Sequence, residues 1–138
     1  MKILVIEDEP LLADLLADEL EAAGHFVIGP ERQVSTALEA AGYIRPDLAL
    51  VDINLLGALR GTAAARELKQ WGVPSIYLSS AAVESEEDRC CAIGRIGKPY
   101  KMPAVLDAVE MAGALIKGEE PGRIPEGMQL YSRDFQTA

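Results

Sequence analysis

Five short apolar runs recur along this chain, and the stretches between them carry leucine and alanine at helical spacing. The runs are Lys2-Ile3-Leu4-Val5-Ile6, Phe26-Val27-Ile28, Leu48 to Val51, Ser75-Ile76-Tyr77-Leu78 and a weaker fifth, Ala92-Ile93-Gly94-Arg95-Ile96. They show no period-two alternation of polar and apolar residues, as expected of strands buried on both faces. Leu11, Leu12, Leu15, Leu16 and Leu20 mark a first helix, opened by Pro10 and stopped by Gly24. Residues 33–42 predict a second helix ending at Gly42, and residues 62–71 a third ending at Gly72. Ser85 followed by Asp88 predicts a capped, short fourth helix, and Pro103 opens a fifth that reaches about Ile116. Strands alternating with helices imply an α/β fold with a parallel sheet covered on both faces, and right-handed crossovers favour the strand order 2-1-3-4-5.

The length of 138 residues fits one domain, with no internal repeat and no linker before residue 117. Residues 1–116 form that domain in this reading. Residues 117–138, rich at first in Gly and Pro, form a tail too short for a second one. The tail either frays or docks through Met128, Leu130, Tyr131 and Phe135 against the domain or a neighbouring chain. A formal charge of −9 argues against DNA or RNA as a direct partner, because phosphate backbones call for a basic face. It suits a Mg²⁺ site or a basic protein partner. No apolar stretch approaches the length of a membrane span and residues 1–25 lack the form of a signal peptide, so a cytoplasmic protein is expected. Cys90 and Cys91 are adjacent and read as small hydrophobes in a reducing compartment. His25 is the sole histidine, has no second imidazole to share a metal, and reads as structural.

The chemistry lies at the strand ends. The run Leu48 to Val51 drives straight into Asp52, and an isolated buried carboxylate is costly. In an open parallel sheet, ligands bind beyond the carboxyl ends of the strands, where the strand order reverses. Strand one ends in Glu7-Asp8-Glu9, strand three in Asp52, strand four in Ser79-Ser80, and strand five runs into Lys98-Pro99-Tyr100. With strands one and three adjacent, Asp8 and Asp52 face each other with Glu7 beside them. Clustered carboxylates need a cation, and Mg²⁺ suits an open oxygen site that keeps waters and accepts a phosphate oxygen. A carboxylate such as Asp52 can act as nucleophile toward phosphorus, with Lys98 and Mg²⁺ neutralising the phosphoryl oxygens and Ser79 hydrogen-bonding one of them.

With these residues in place, the chain resembles the receiver domains of two-component response regulators over about residues 1–116. "ILVIEDEP" resembles the family's opening strand with its acidic pair, "PDLALVDINL" the strand of the phospho-acceptor, "VPSIYLSS" the strand of the switch hydroxyl, and "GKPY" the Lys-Pro-aromatic signature. The resemblance implies a flavodoxin-like fold of five βα units in three layers. It implies Asp52 as phospho-acceptor, Mg²⁺ held by Asp8, Asp52 and the Asn54 carbonyl, and Glu7 acting mainly through water. It further implies a cis Lys98-Pro99 bond and a phosphohistidine donor on a histidine kinase or phosphotransfer protein. On phosphorylation, Ser79 would be drawn inward, shifting the surface around helix four, strand five and helix five.

The chain also departs from that pattern. Ser79 and Lys98 are only 19 positions apart, so helix four is expected to be shortened. The strand-five position three residues before the lysine, aromatic in the family, is Arg95, and the loop after Asn54, "LLGALRG", lacks the usual proline. "GHFVIGP", "DINL" and the compressed fourth helix resemble stand-alone and stress-regulator receivers of alphaproteobacteria. The expected function is a phosphorylation-dependent switch, a phospho-acceptor rather than an enzyme, working by contact with a downstream protein or by phosphorelay. The tail leaves no room for an output domain, and the expected assembly is a monomer or weak homodimer. The alternatives are a receiver-fold interaction module that works without phosphorylation, and a metal-dependent phosphohydrolase. The second lacks an aspartate two residues after the nucleophile, where Asn54 stands.

Overall fold

Each of the apolar runs forms a strand, and the burial explains why. In the computed structural model, which describes residues 1–55 and 60–131, the strands β3 (Leu48–Asp52) and β4 (Ser75–Ser79) are buried at every position. In β1 (Lys2–Ile6) only Lys2 is exposed. With β2 (Phe26–Glu31) and β5 (Ala92–Gly97) they form a parallel sheet in the order β2-β1-β3-β4-β5. The helices α1 (Pro10–Ala22), α2 (Val34–Tyr43), α3 (Gly61–Gln70), α4 (Glu86–Arg89) and α5 (Met102–Ile116) follow β1 to β5 in turn.

Two apolar layers hold the sheet. One joins Leu4, Ile6, Val51 and Tyr77 to the Ala37 and Ala41 face of α2 and the Ala64, Ala65 and Leu68 face of α3. The other joins Ile3, Val5, Leu50 and Leu78 to Leu16 and Leu20 of α1 and Val105, Ala108, Val109 and Ala112 of α5. Each fully buried Leu or Ile contributes about 1.5–3 kcal/mol of transfer free energy. The small alanines let α2, α3 and α5 lie close on the sheet. Cys91 is buried in the first layer while Cys90 is exposed, and His25 Nδ1 lies 3.1 Å from the amino terminus.

Three features depart from, or refine, the sequence reading. First, the sheet has six strands rather than five. Residues Met128–Leu130 form β6, antiparallel to β5, with Gly94 opposite Leu130, Arg95 opposite Gln129 and Ile96 opposite Met128. A three-residue strand carries no pattern of its own; the open edge of β5 creates it. Of the tail residues, Met128 and Leu130 pack on the α1/α5 layer and Tyr131 on the α2/α3 layer. Phe135 and positions 56–59 of the proline-free loop lie outside the described residues. Second, α4 is reduced to a single turn. Ser85 Oγ accepts the Asp88 amide at 3.4 Å, Tyr77 Oη donates to the Asp88 carbonyl at 2.7 Å, and Arg66 of α3 pairs with Asp88 at 2.6 Å. Third, both Gly29-Pro30 and Lys98-Pro99 are cis, the second as the resemblance implied.

Candidate functional site

Parallel pairing fixes which residues meet at the carboxyl edge. β1 pairs with β3 through Ile6 opposite Val51, so the next residues, Glu7 and Asp52, emerge side by side. Carboxylate oxygens of Glu7, Asp8 and Asp52 lie within 4.8 Å of one another. Lys98, brought in from the end of β5, places Nζ 2.9 Å from Glu7 Oε1 and 3.3 Å from Asp52 Oδ2. Glu7 is wholly buried and Asp52 is 3% exposed, while Asp8 is only half-buried.

Gly61 makes this edge possible. Its N–H donates to the Ile53 carbonyl at 3.1 Å, and a Cβ there would overlap the Asp52 carbonyl oxygen and lie 2.8 Å from Val51 Cγ1. Any larger residue would push α3 off β3.

The electrostatics of the pair are asymmetric. Burial, and next the contact with the Asp52 carboxylate, push the Glu7 carboxyl up to about 7, against the pull of Lys98. Burial alone would raise Asp52 too. The hydrogen bond with Glu7, the Lys98 charge and the Asn54 N–H, which donates to Asp52 Oδ1 at 3.1 Å, outweigh it and hold Asp52 below its usual value. Burial would lower the Lys98 ammonium, but its two carboxylate partners hold it above its ordinary value. The asymmetry favours Asp52 as the ionised member of the pair and Glu7 as the one that takes up a proton as pH falls.

The residues fit a hard divalent cation. Glu7 Oε2 is buried and has no hydrogen-bond partner among the described residues. Two ionised carboxylates are both acceptors, so only a proton or a metal can sit between them. The donor set is oxygen alone, with half-buried Asp8 at its open side, which suits Mg²⁺ better than a metal that prefers nitrogen or sulfur.

Ser79 lies at the end of β4, where Asp52 pairs with Leu78 one residue earlier. Its hydroxyl donates to the Ala81 carbonyl at 2.8 Å and accepts the Ala81 N–H at 3.1 Å. A cavity of about 310 Å³ lies between the β3 and β4 loops, with Asn54, Arg60, Thr62, Ser79 and Asp88 among its walls. Arg95 is not among the residues lining this cavity. Its Nη1 donates to the Ser79 carbonyl at 3.0 Å, and the same oxygen accepts the Lys98 N–H at 3.1 Å.

Tyr100 is a residue the sequence left as one member of a signature. Its phenol is buried with no hydrogen-bond partner among the described residues, and burial together with the Glu7 and Asp52 charges raises it well above the ordinary value. Its place after the Lys98-Pro99 pair was the available signal.

The comparisons agree with this arrangement. The family described as response regulator receiver domain matches residues 3–110. The phyllosphere-induced regulator PhyR of Methylorubrum extorquens is 41% identical over 81 residues, covering 57% of this chain and 30% of that protein. The polar-differentiation response regulator DivK of Brucella anthropi is 29% identical, covering 78% of this chain and 92% of that one. The chain spans only between 30% and 56% of the first six curated relatives it matches. The crystal structure of the signal receiver domain of a modulated diguanylate cyclase from Desulfovibrio desulfuricans G20 superposes with a TM-score of 0.72 at 32% identity, covering 80% of this chain and 91% of that one. Among the described residues no helix is long and apolar enough to cross a membrane. The sheet order, the acidic edge and the match over residues 3–110 together place the chain in the response regulator receiver domain family, the signalling modules of two-component systems.

Proposed function

We propose that this chain is a phosphorylation-dependent switch whose phospho-acceptor is Asp52, with Lys98 and Ser79 contacting the phosphoryl group and Glu7, Asp8, Asp52 and the Asn54 carbonyl serving Mg²⁺. The donor is a phosphohistidine on a histidine kinase or phosphotransfer protein, and the output is contact with a downstream protein or phosphorelay. Residues 1–116 form the phospho-acceptor domain and residues 117–131 extend it.

The observation that carries this reading is the Lys98 ammonium between Glu7 and Asp52 at the end of two buried strands, 3.3 Å from an Asp52 oxygen. The ionised Asp52 oxygen forms a bond to phosphorus as the phosphorus–nitrogen bond of the donor imidazole breaks, its electron pair returning to nitrogen. Lys98 lies where it can meet negative charge on the phosphoryl oxygens, and Asn54 N–H orients the carboxylate by holding its other oxygen. A bound Mg²⁺ would supply further charge neutralisation on those oxygens. In this reading the chain is a phospho-acceptor rather than an enzyme.

Intact-mass spectrometry of the wild type and Asp52→Asn, incubated with acetyl phosphate with and without Mg²⁺, tests the proposal. One phosphoryl adduct requiring both Asp52 and Mg²⁺ is expected. Label on Asp52→Asn would overturn the site. No adduct in any condition would weaken the switch and favour an interaction module that works without phosphorylation, a reading that the Arg95–Ser79 bond keeps in view.

A further inference from the structure

The segment that joins α5 to β6 stands off the helix and leaves a groove. A cavity of about 630 Å³ lies between them, walled by Asp107, Glu110, Met111 and Ala114 of α5 and by Glu120 and Arg123 of the crossing segment. A second cavity of about 350 Å³ is walled by Ile96, Tyr100, Pro103 and Ala104. Asp107 and Glu126 line both, so the two are continuous along the helix. Positions 103, 107, 110 and 114 are spaced four, three and four apart, so a single face of α5 forms this wall. From Pro103 to Ala114 that face runs about 16 Å at the helical rise.

The opposite wall is tied in place along its length. Glu119 N–H donates to the Ala114 carbonyl at 2.9 Å, and Ile124 packs on the α1/α5 layer. Gly97 N–H donates to the Gly127 carbonyl at 3.1 Å. Beyond it β6 is seated closely: Gly94 leaves no room for a Cβ, because the Gln129 carbonyl occupies that space. Pro121 and Pro125 stiffen the crossing by fixing their φ angles. A groove whose walls are already ordered loses little entropy when it is filled.

Its chemistry selects the occupant. The floor is apolar, with Ile96 and Met111 at 1% and 3% exposure. The rim is acidic: Asp107, Glu110, Glu120 and Glu126 are all exposed, and among the described residues none of them forms an ion pair. Lys101 and Arg123 are the cations on the same walls, so negative charge prevails there, within a chain of net charge −9. We infer that this groove is a docking site for a basic segment of another protein, in which apolar side chains enter the floor and Lys or Arg side chains meet the rim carboxylates. An acidic partner would meet repulsion along the whole rim. Binding there needs no phosphoryl group on Asp52, so it goes beyond the function proposed above.

The test is fluorescence anisotropy on the full chain, without a phosphodonor, using a labelled peptide of repeating Lys-Arg-Leu-Leu. Saturable binding is expected, weakened at least about fivefold between about 50 mM and about 250 mM NaCl. Asp107→Lys combined with Glu110→Lys should weaken it at least about tenfold. Glu39→Lys combined with Glu67→Lys reverses two exposed charges on α2 and α3, across the sheet, and should change it less than about twofold. Serine in place of the peptide leucines should cost at least about tenfold. No saturable binding overturns the inference. Equal losses from the two double variants overturn it in favour of general attraction to an acidic protein, and equal binding of the serine peptide overturns it in favour of a purely ionic surface. Amide chemical-shift changes in the wild type, which need no variant to fold, should centre on residues 99–127, and shifts centred elsewhere overturn the placement. Absence of a phosphoryl adduct on Asp52 would count against the proposed function and leave this docking site standing.

Discussion

The carboxyl edge at Glu7, Asp52 and Lys98 and the lateral edge at Arg95, β6 and Tyr131 each bury charge, and they satisfy it in opposite ways. At the carboxyl edge an ammonium lies within 3.3 Å of two carboxylates, and the unmet demand is for more positive charge, at Glu7 Oε2. At the lateral edge the Arg95 guanidinium donates to a neutral backbone carbonyl, and Arg95 Nε is a buried donor without a hydrogen-bond partner among the described residues. The first edge is short of a cation and is therefore built to receive one. The second is held by backbone dipoles, by a three-residue strand and by the packing of Met128, Leu130 and Tyr131 on the apolar layers.

Removing Lys98 should break this contrast most strongly. Lys98→Met leaves two buried carboxylates without their cation, and at pH 8 should destabilise the metal-free protein by up to about 3 kcal/mol in urea unfolding, with Mg²⁺ restoring part of the loss. Unchanged stability would mean that the Lys98 contacts carry no weight. Next, Gly61→Ala forces a methyl group against the Asp52 carbonyl and should cost about 1–3 kcal/mol by the same measurement. The equivalent change at the lateral edge, Gly94→Val, should lower global stability by only about 1 kcal/mol or less, since it disturbs three peripheral pairs rather than the core.

A pH titration sharpens the same comparison. The Glu7 carboxyl sits near 7 when folded against 4.5 when free, so between those values the folded chain binds a proton that the unfolded chain has released. This contribution is fully present below 4.5 and is lost as pH rises toward 7. Metal-free stability should therefore fall across that window, by at most about 1.4 kcal/mol per pH unit. Glu7→Gln should flatten the slope, and saturating Mg²⁺, which binds the ionised form, should flatten it too. A slope that survives Glu7→Gln would place the titrating group elsewhere.

Much of the carboxyl edge was legible because its logic is local. An apolar run that ends in a carboxylate, repeated at β1 and β3 and answered by Lys98 after β5, places each group at its strand end without any distance being known. The short α4 was legible from the spacing of Ser79 and Lys98, and its cap from Ser85. Arg95 was visible as a departure, but nothing near it in sequence names the Ser79 carbonyl as its acceptor. β6 was legible only as four hydrophobic residues in a tail, because pairing with β5, not its own pattern, makes Met128–Leu130 a strand.

Sequence periodicity and strand-end chemistry alone determined the alternating α/β plan, the strand order and the set of residues that converge, because burial and crossover handedness leave few other arrangements. Only the tertiary structure decided that burial pushes the Glu7 carboxyl up while its partners hold Asp52 down, that Gly61 must stay small beside Asp52, and that the tail adds a sixth strand along β5. Each of these depends on distances between residues far apart in the chain, and desolvation, overlap and edge pairing come into being only when the chain is folded.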